Sequence, residues 1–339
     1  MLLPSSPSLL LLLIALACFC WGVWPNFIKA AGPRWRFELF YIDFAAGVVV
    51  LALAAAFTLG TFGSDLTFSD RLLIAGRTLQ VVVFGAGSLF NLGNMLLIAA
   101  VSLAGIAIAV PLSVGVAMIV ASLVDLFAHP QGSELWASGG MALLLAGVLL
   151  DTKTYRALDQ ELSTKPGAKP RKRVTRKAIF LCVLSGLFLG ASFPVLEQGI
   201  QGDFSLGPYA ALVVFAIGIG VSTFFFNIYF MNIRMVGEQI RLKAYLRGTP
   251  KQHLAGLAAG ALWAIGALCC FLCATAVPNF GAGPDFSIAI AESSAVLCAL
   301  FGILRWKEFA GAGQKTARYP SAYLACLAAG FALLAVAYR

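Results

Sequence analysis

The chain alternates long apolar runs with short breaks of charged or turn-forming residues. The runs fall at about Leu9 to Ala31, Leu39 to Leu59, Leu79 to Val101, Ala104 to Phe127 and Leu135 to Leu150. After a polar stretch come Ala178 to Leu196, Tyr209 to Ile233, Leu254 to Val277, Phe286 to Leu304 and Tyr319 to Ala337. A bilayer-crossing helix takes about 20 mostly apolar residues. The pattern therefore predicts an all-α integral membrane protein of ten transmembrane helices. The first run ends in the signal-peptide-like Ala15-Leu16-Ala17-Cys18, but no Lys or Arg precedes it and apolar residues continue through Trp21 and Phe27. It reads as a span.

Composition agrees. Of 339 residues, 60% are hydrophobic and 12% charged, and the mean hydropathy is +0.89, which excludes an ordinary soluble enzyme and leaves no sizeable soluble domain. The net charge of +9 would suggest nucleic acid in a soluble protein. Here excess Lys and Arg mark cytoplasmic connections, and no nucleic-acid partner is read from them. Of the 24 Lys and Arg, all but Arg71, Arg77 and Arg339 fall in the odd-numbered connections. That asymmetry expects both termini to be extracytoplasmic, in a multi-pass protein of the cell inner membrane or plasma membrane. Residues 152–177, rich in Lys and Arg, read as a basic cytoplasmic linker between a first five-helix half at 1–151 and a second at 178–339. Anionic membrane lipid is a partner such a cluster attracts. All eight cysteines lie in apolar runs and read as packing residues. Cys270 and Cys273 form a lone CxxC, and the two histidines, His129 and His253, sit at span edges, so no metal or cofactor is expected.

Five is odd, so a second five-span unit must enter the membrane from the opposite face, the inverted-repeat arrangement of many secondary transporters. Span one carries Gly22-Val23-Trp24-Pro25 and span six carries Gly190-Ala191-Ser192-Phe193-Pro194. Each is a glycine followed by an aromatic-proline pair. Pro25, Pro194 and, in span four, Pro111 are expected helix breaks, because proline lacks an amide donor and clashes with the preceding turn. Spans three and eight are rich in small residues (Gly85, Gly87, Gly93; Gly256, Gly260, Gly266) that let helices approach closely.

Ionisable groups at membrane depth are costly and suspect of function. Glu292, beside Ser293 and Ser294 in span nine, is the leading candidate. Its carboxyl suits either proton coupling or hydrogen bonds from solute hydroxyls. A structural carboxyl bonded to a neighbouring helix is the plainer reading. Asn91 and Asn94 share one face of span three and offer amide donors and acceptors, with interhelical bridging as the alternative. Ser113 holds in span four roughly the place of Ser294 in span nine. Trp24 and Trp263 suit stacking on a ring-shaped solute, and Trp21 is a further candidate. Glu197 and Gln198 are candidates for an outer mouth. Glu38 and Asp43, near Arg34 and Arg36, read as a structural ion-pair cluster.

Four local stretches resemble the drug/metabolite transporter superfamily, in the branch of ureide permeases and bacterial glucose/ribose and rhamnose porters. They are Gly22-Val23-Trp24-Pro25, Tyr41-Ile42-Asp43-Phe44, Leu92-Gly93-Asn94, and Gly302-Ile303-Leu304 with Glu308. Lys307 stands where that branch has a glycine, and Glu292 matches no family motif. The resemblance implies ten helices, a central path between the halves, alternating access and a small polar organic substrate. The sequence reading is thus a secondary transporter of a sugar-like or ureide-like small molecule, with Trp24, Asn91, Asn94, Ser113, Trp263, Glu292 and Ser294 binding substrate and Glu292 a candidate for proton coupling. Export of drugs or metabolites is the alternative within the superfamily. A membrane-embedded enzyme and a non-transporting subunit are the rivals outside it, and a homodimer is left open. The sequence carries no ATP-binding glycine loop.

Overall fold

The structure is a computed structural model that describes residues 1–63, 65–128, 133–163, 176–200, 204–233, 235–276, 284–314 and 316–339. Its α-helices are α1 (Pro7–Val23), α2 (Asn26–Ala30), α3 (Phe37–Phe57), α4 (Phe68–Ile74), α5 (Gly76–Ala104), α6 (Ile106–Ala128) and α7 (Glu134–Ser163). They continue with α8 (Arg176–Ile200), α9 (Gly207–Asn232), α10 (Pro250–Ala276), α11 (Pro284–Glu292), α12 (Ser294–Leu304) and α13 (Tyr319–Ala337). Ten helical segments are long and apolar enough to cross a membrane, and among the described residues there is no strand. Span one is α1 with α2, span nine is α11 with α12, and the short α4 precedes span three.

Contacts between connections show which ends lie together. At one end the Met1 ammonium donates to the carbonyls of Asp65 and Leu66 at 3.0 and 3.2 Å, Tyr209 Oη donates to the Leu2 carbonyl, and the Ser133 amide donates to the Ala337 carbonyl. At the other end Arg36 donates to the Glu238 carbonyl at 2.6 Å, and Glu161 accepts from Thr316 Oγ1 at 2.6 Å and the Gly313 amide at 2.7 Å. These pairings gather the odd-numbered connections at a single basic end, as alternating spans require.

The packing order is regular. Span three lies on spans six and seven, and span eight lies on spans one and two; span six lies on four, and span one on nine. Spans two and seven, four and nine, and five and ten also pair directly. Exchanging the first five spans for the last five leaves this pattern unchanged. Helices in lipid gain little from apolar contact and instead associate where small residues admit a close approach. Gly47 and Gly260 place α3 and α10 backbone to backbone: a Cβ on Gly47 would stand 3.0 Å from the Leu257 carbonyl carbon, and one on Gly260 would be 2.8 Å from that of Phe44. Gly87 and Gly218 make the matching crossing of α5 with α9, against Phe215 and Phe84.

Three expectations change. The helix α7 runs on to Ser163, so residues 152–163 are helical and not linker, with Tyr155 and Leu158 buried; residues 164–175 of that segment lie outside the described residues, as does His129. Pro111 and Pro194 sit inside helices that continue through them, because a turn at each can lose one amide bond while the rest of a packed helix holds it. Only at Pro25 is the helix interrupted, between α1 and α2. There Asn26 Nδ2 donates to the carbonyls of Val23 and Gly22 at 3.0 and 3.3 Å, so these acceptors are satisfied locally, while Pro25 itself lines a small cavity. A break no proline announces occurs at Ser293, whose hydroxyl donates to the Ile290 carbonyl at 2.6 Å in competition with the helix.

The close crossings yield a contrast. Gly260→Val forces a branched side chain into the α3 backbone and is expected to lower stability by about 2 to 3 kcal/mol. Gly85→Ala meets nothing within 4 Å and should be neutral or stabilising by up to about 1 kcal/mol. Thermal unfolding of the two variants in detergent checks the pair; equal effects would mean that these glycines do not set the crossing.

Candidate functional site

An aromatic cluster organises the middle of the bundle. The indole of Trp263 is stacked with Trp21 at 6.4 Å and with Phe215 at 6.2 Å, and Phe90 lies 4.7 Å from it. Trp21 Nε1 donates to the Trp263 carbonyl at 3.2 Å, which ties span one to span eight. Phe44 touches Trp24 at 5.0 Å and Tyr41 at 5.0 Å. Such rings bury large areas and stay rigid because they have only two side-chain torsions.

Against this cluster lies a small cavity of about 40 Å³. Its polar lining is Asn94, Glu292 and Ser294, and its apolar lining includes Trp24, Phe90 and Trp263. The lining comes from spans one, three and four and from spans six, eight and nine. Asn94 Nδ2 donates to Tyr41 Oη at 3.0 Å, which fixes its amide. The break after Glu292 ends α11 at that carboxyl, so Glu292 closes one helical piece and Ser294 opens the next. A volume of this size admits a water or two but falls far below the roughly 300 Å³ at which ligand pockets begin.

The structure brings together Trp24, Asn94, Trp263, Glu292 and Ser294 around the cavity, with Trp21 beside them. It separates Asn91 and Ser113 from it. Asn91 is fully buried between α5 and α9, donating from Nδ2 to Ser222 Oγ at 2.8 Å and accepting at Oδ1 from Thr223 Oγ1 at 3.2 Å. Both its amide nitrogen and its amide oxygen are engaged in bridging two spans. Ser113 is fully buried, its main-chain carbonyl packed against Gly186 of α8, and it is absent from the cavity lining that its neighbours Val110, Val114 and Ala117 help to make. Glu197 lines a separate void of about 30 Å³ between Phe193, Phe271 and Ile288, and Gln198 is exposed.

At the basic end Glu308 holds three spans. Its carboxylate accepts from the amides of Ile106 at 2.9 Å and Ala107 at 2.7 Å, the first residues of α6, and pairs with Lys29 at the end of span one. A carboxylate on the exposed amides of a helix N-terminus is favoured by the hydrogen bonds and the helix dipole together. Gly105 makes this possible: it turns the chain between α5 and α6 at a φ of +91°, and a Cβ there would sit 2.8 Å from the Glu308 carboxylate. Trp306 joins the clasp, donating to Asn26 Oδ1 at 2.7 Å while Lys29 lies 5.6 Å from its ring centroid. The expected ion-pair cluster resolves into Arg36 with Glu38 and Asp43 with His253.

Sequence reasoning missed Asp151. It stands at the close of an apolar run and passes for an edge residue, yet the extended α7 carries it into the bundle, where it is fully buried. Neither carboxyl oxygen has a hydrogen-bond partner among the described residues.

No known family profile matches the chain, and no curated protein matches it. A solved structure described only as "Crystal structure of protein" is similar to it, with a TM-score of 0.58 and 14% identity over 97% of this chain and 96% of that one. At that identity the likeness carries the fold alone.

Proposed function

We propose that the chain is a secondary carrier that moves a small polar organic solute, sugar-like or ureide-like, by alternating access between two inverted five-span repeats. The observation that supports this best is the lining of the central cavity by spans one, three and four together with six, eight and nine. These are the same three positions in each half, as expected where a binding site lies on the junction between repeats. Glu292 and Ser294 would accept and donate to solute hydroxyls, Asn94 would fix their orientation, and Trp24 and Trp263 would offer flat apolar faces to a ring. The contracted cavity belongs to a closed conformer, and opening toward the basic end requires release of the Glu308 clasp from α6.

The carriage reading is tested by thermal shift of the purified chain against sugars, ureides, nucleobases and amino acids, since a ligand of the folded state raises its melting point. One class is expected to stabilise the wild type and to bind roughly two- to tenfold more weakly to Glu292→Gln, through loss of a hydrogen bond between the carboxyl and the solute. Asn91→Ala is expected to lower stability without changing the ligand preference. A screen in which no solute binds, or in which Asn91→Ala alone abolishes binding, removes the assignment. For coupling, proteoliposomes should accumulate solute under an imposed pH gradient, and Glu292→Gln should abolish accumulation while leaving exchange. Uptake indifferent to both gives an uncoupled carrier.

The clasp has its own test. Glu308→Ala strips the Ile106 and Ala107 amides and Lys29 of their acceptor and should destabilise the closed conformer by about 1 to 3 kcal/mol. Cys298, fully buried on α12, should then label faster with a water-soluble thiol reagent, read by peptide mass; an unchanged rate means that Glu308 does not hold this end shut.

A further inference from the structure

A large hollow also lies away from the centre of the bundle. A groove of about 780 Å³ runs along the outside of the bundle between α3 and α9, and the short 3₁₀ helix Leu242–Arg247 closes it at the basic end. Ala46, Val49, Phe224 and Ile228 make its walls, and Leu242 and Leu246 extend them. Leu242 and Leu246 are 59% and 83% exposed, while Arg241, Lys243 and Arg247 alternate with them in sequence. A short basic segment with bare leucines at the mouth of an apolar groove belongs at the membrane interface, apolar side toward acyl chains and cations toward headgroups.

Two polar groups in this apolar lining say what it holds. Asn227 is 4% exposed; its Nδ2 donates to the Glu38 carbonyl at 2.9 Å, and its Oδ1 has no hydrogen-bond partner. The Glu38 carbonyl can only accept, so the amide orientation is fixed and the groove retains a buried acceptor that needs a donor. Lys243 also lines the groove, and no salt bridge among the described residues engages it. The acidic groups of α3 near this end are occupied: Glu38 by Arg36, and Asp43 by His253 and by Tyr245, whose hydroxyl donates at 2.5 Å. Burial, and then the adjoining Asp43 carboxylate, push the Tyr245 phenol further above its ordinary range. It therefore stays a donor, and the 3₁₀ helix stays latched to α3 as a fixed roof.

We infer that this groove binds one anionic glycerophospholipid whose headgroup carries hydrogen-bond donors, with an acyl chain between α3 and α9, the phosphate at Lys243 and a hydroxyl donating to Asn227 Oδ1. The site is independent of the carriage reading, since none of its lining residues belongs to the central cavity.

The experiment uses the full chain in detergent, titrated with phosphatidylglycerol or with phosphatidylcholine of the same acyl chains, and read by native mass spectrometry and thermal shift. Phosphatidylglycerol is expected to bind and stabilise preferentially. Lys243→Ala should weaken that binding roughly fivefold, the effect of one interfacial cation on an anionic lipid. Ala46 is exposed in the groove, so Ala46→Trp fills the space from outside and should abolish the preference while leaving the lipid-free melting point unchanged. Equal binding of the two lipids overturns the proposal, as does a preference that survives both substitutions. Stabilisation by glycerol 3-phosphate equal to that by the whole lipid would assign the site to a soluble phosphate. A change of oligomeric mass in Ala46→Trp would assign the groove to a second copy of the chain.

Discussion

Between two helices in hydrocarbon there is no water to expel, so what holds them is the closeness of their backbones. In this protein that closeness is bought by glycine at a few crossings. Gly47 and Gly260 bring α3 against α10, and Gly87 and Gly218 bring α5 against α9. Because these contacts fix spans two and seven to the flanks of eight and three, the remaining inner spans meet in the middle with larger side chains between them. The aromatic cluster around Trp263 and the cavity beside it lie among these inner spans, where Gly93, Gly190 and Gly266 also pack closely against Leu189, Ala117 and Trp21.

The second constraint is that every backbone group at membrane depth needs a partner. Each interruption of a helix carries its own repair. Asn26 takes the carbonyls that Pro25 leaves, Ser293 takes that of Ile290, and Glu308 takes the amides that Gly105 exposes at the start of α6. Two of these repairs tie distant parts of the chain together through Trp306 and Lys29. An interrupted helix thus becomes a junction.

The ten spans were legible because length and apolarity alone determine what crosses a bilayer, and the basic connections gather at one end because successive odd-numbered connections are two spans apart. The helix ends were less so: α7 continues past Asp151 because Thr154, Tyr155 and Leu158 are buried by neighbours, which no window of hydropathy sees. At the cavity, Asn94 and Asn91 look equivalent in sequence, three residues apart on one helix. A rotation of about 60° between them nonetheless sends one toward Tyr41 and the other into α9. Pro111 and Pro194 were visible as residues but not in effect, since packing keeps both helices whole. The break at Ser293 has no proline or glycine to announce it, and Glu308 gains its role only from a turn some 200 residues earlier in the chain.

Glu292 and Glu308 stand at opposite ends of one short rod. The helix α12 between them spans Ser294–Leu304, about 16 Å at 1.5 Å per residue, and is set off from α11 by the break at Ser293. Its outer end leads to the residue that clamps the start of α6, so one short helix joins the wall of the central cavity to the clasp at the basic end.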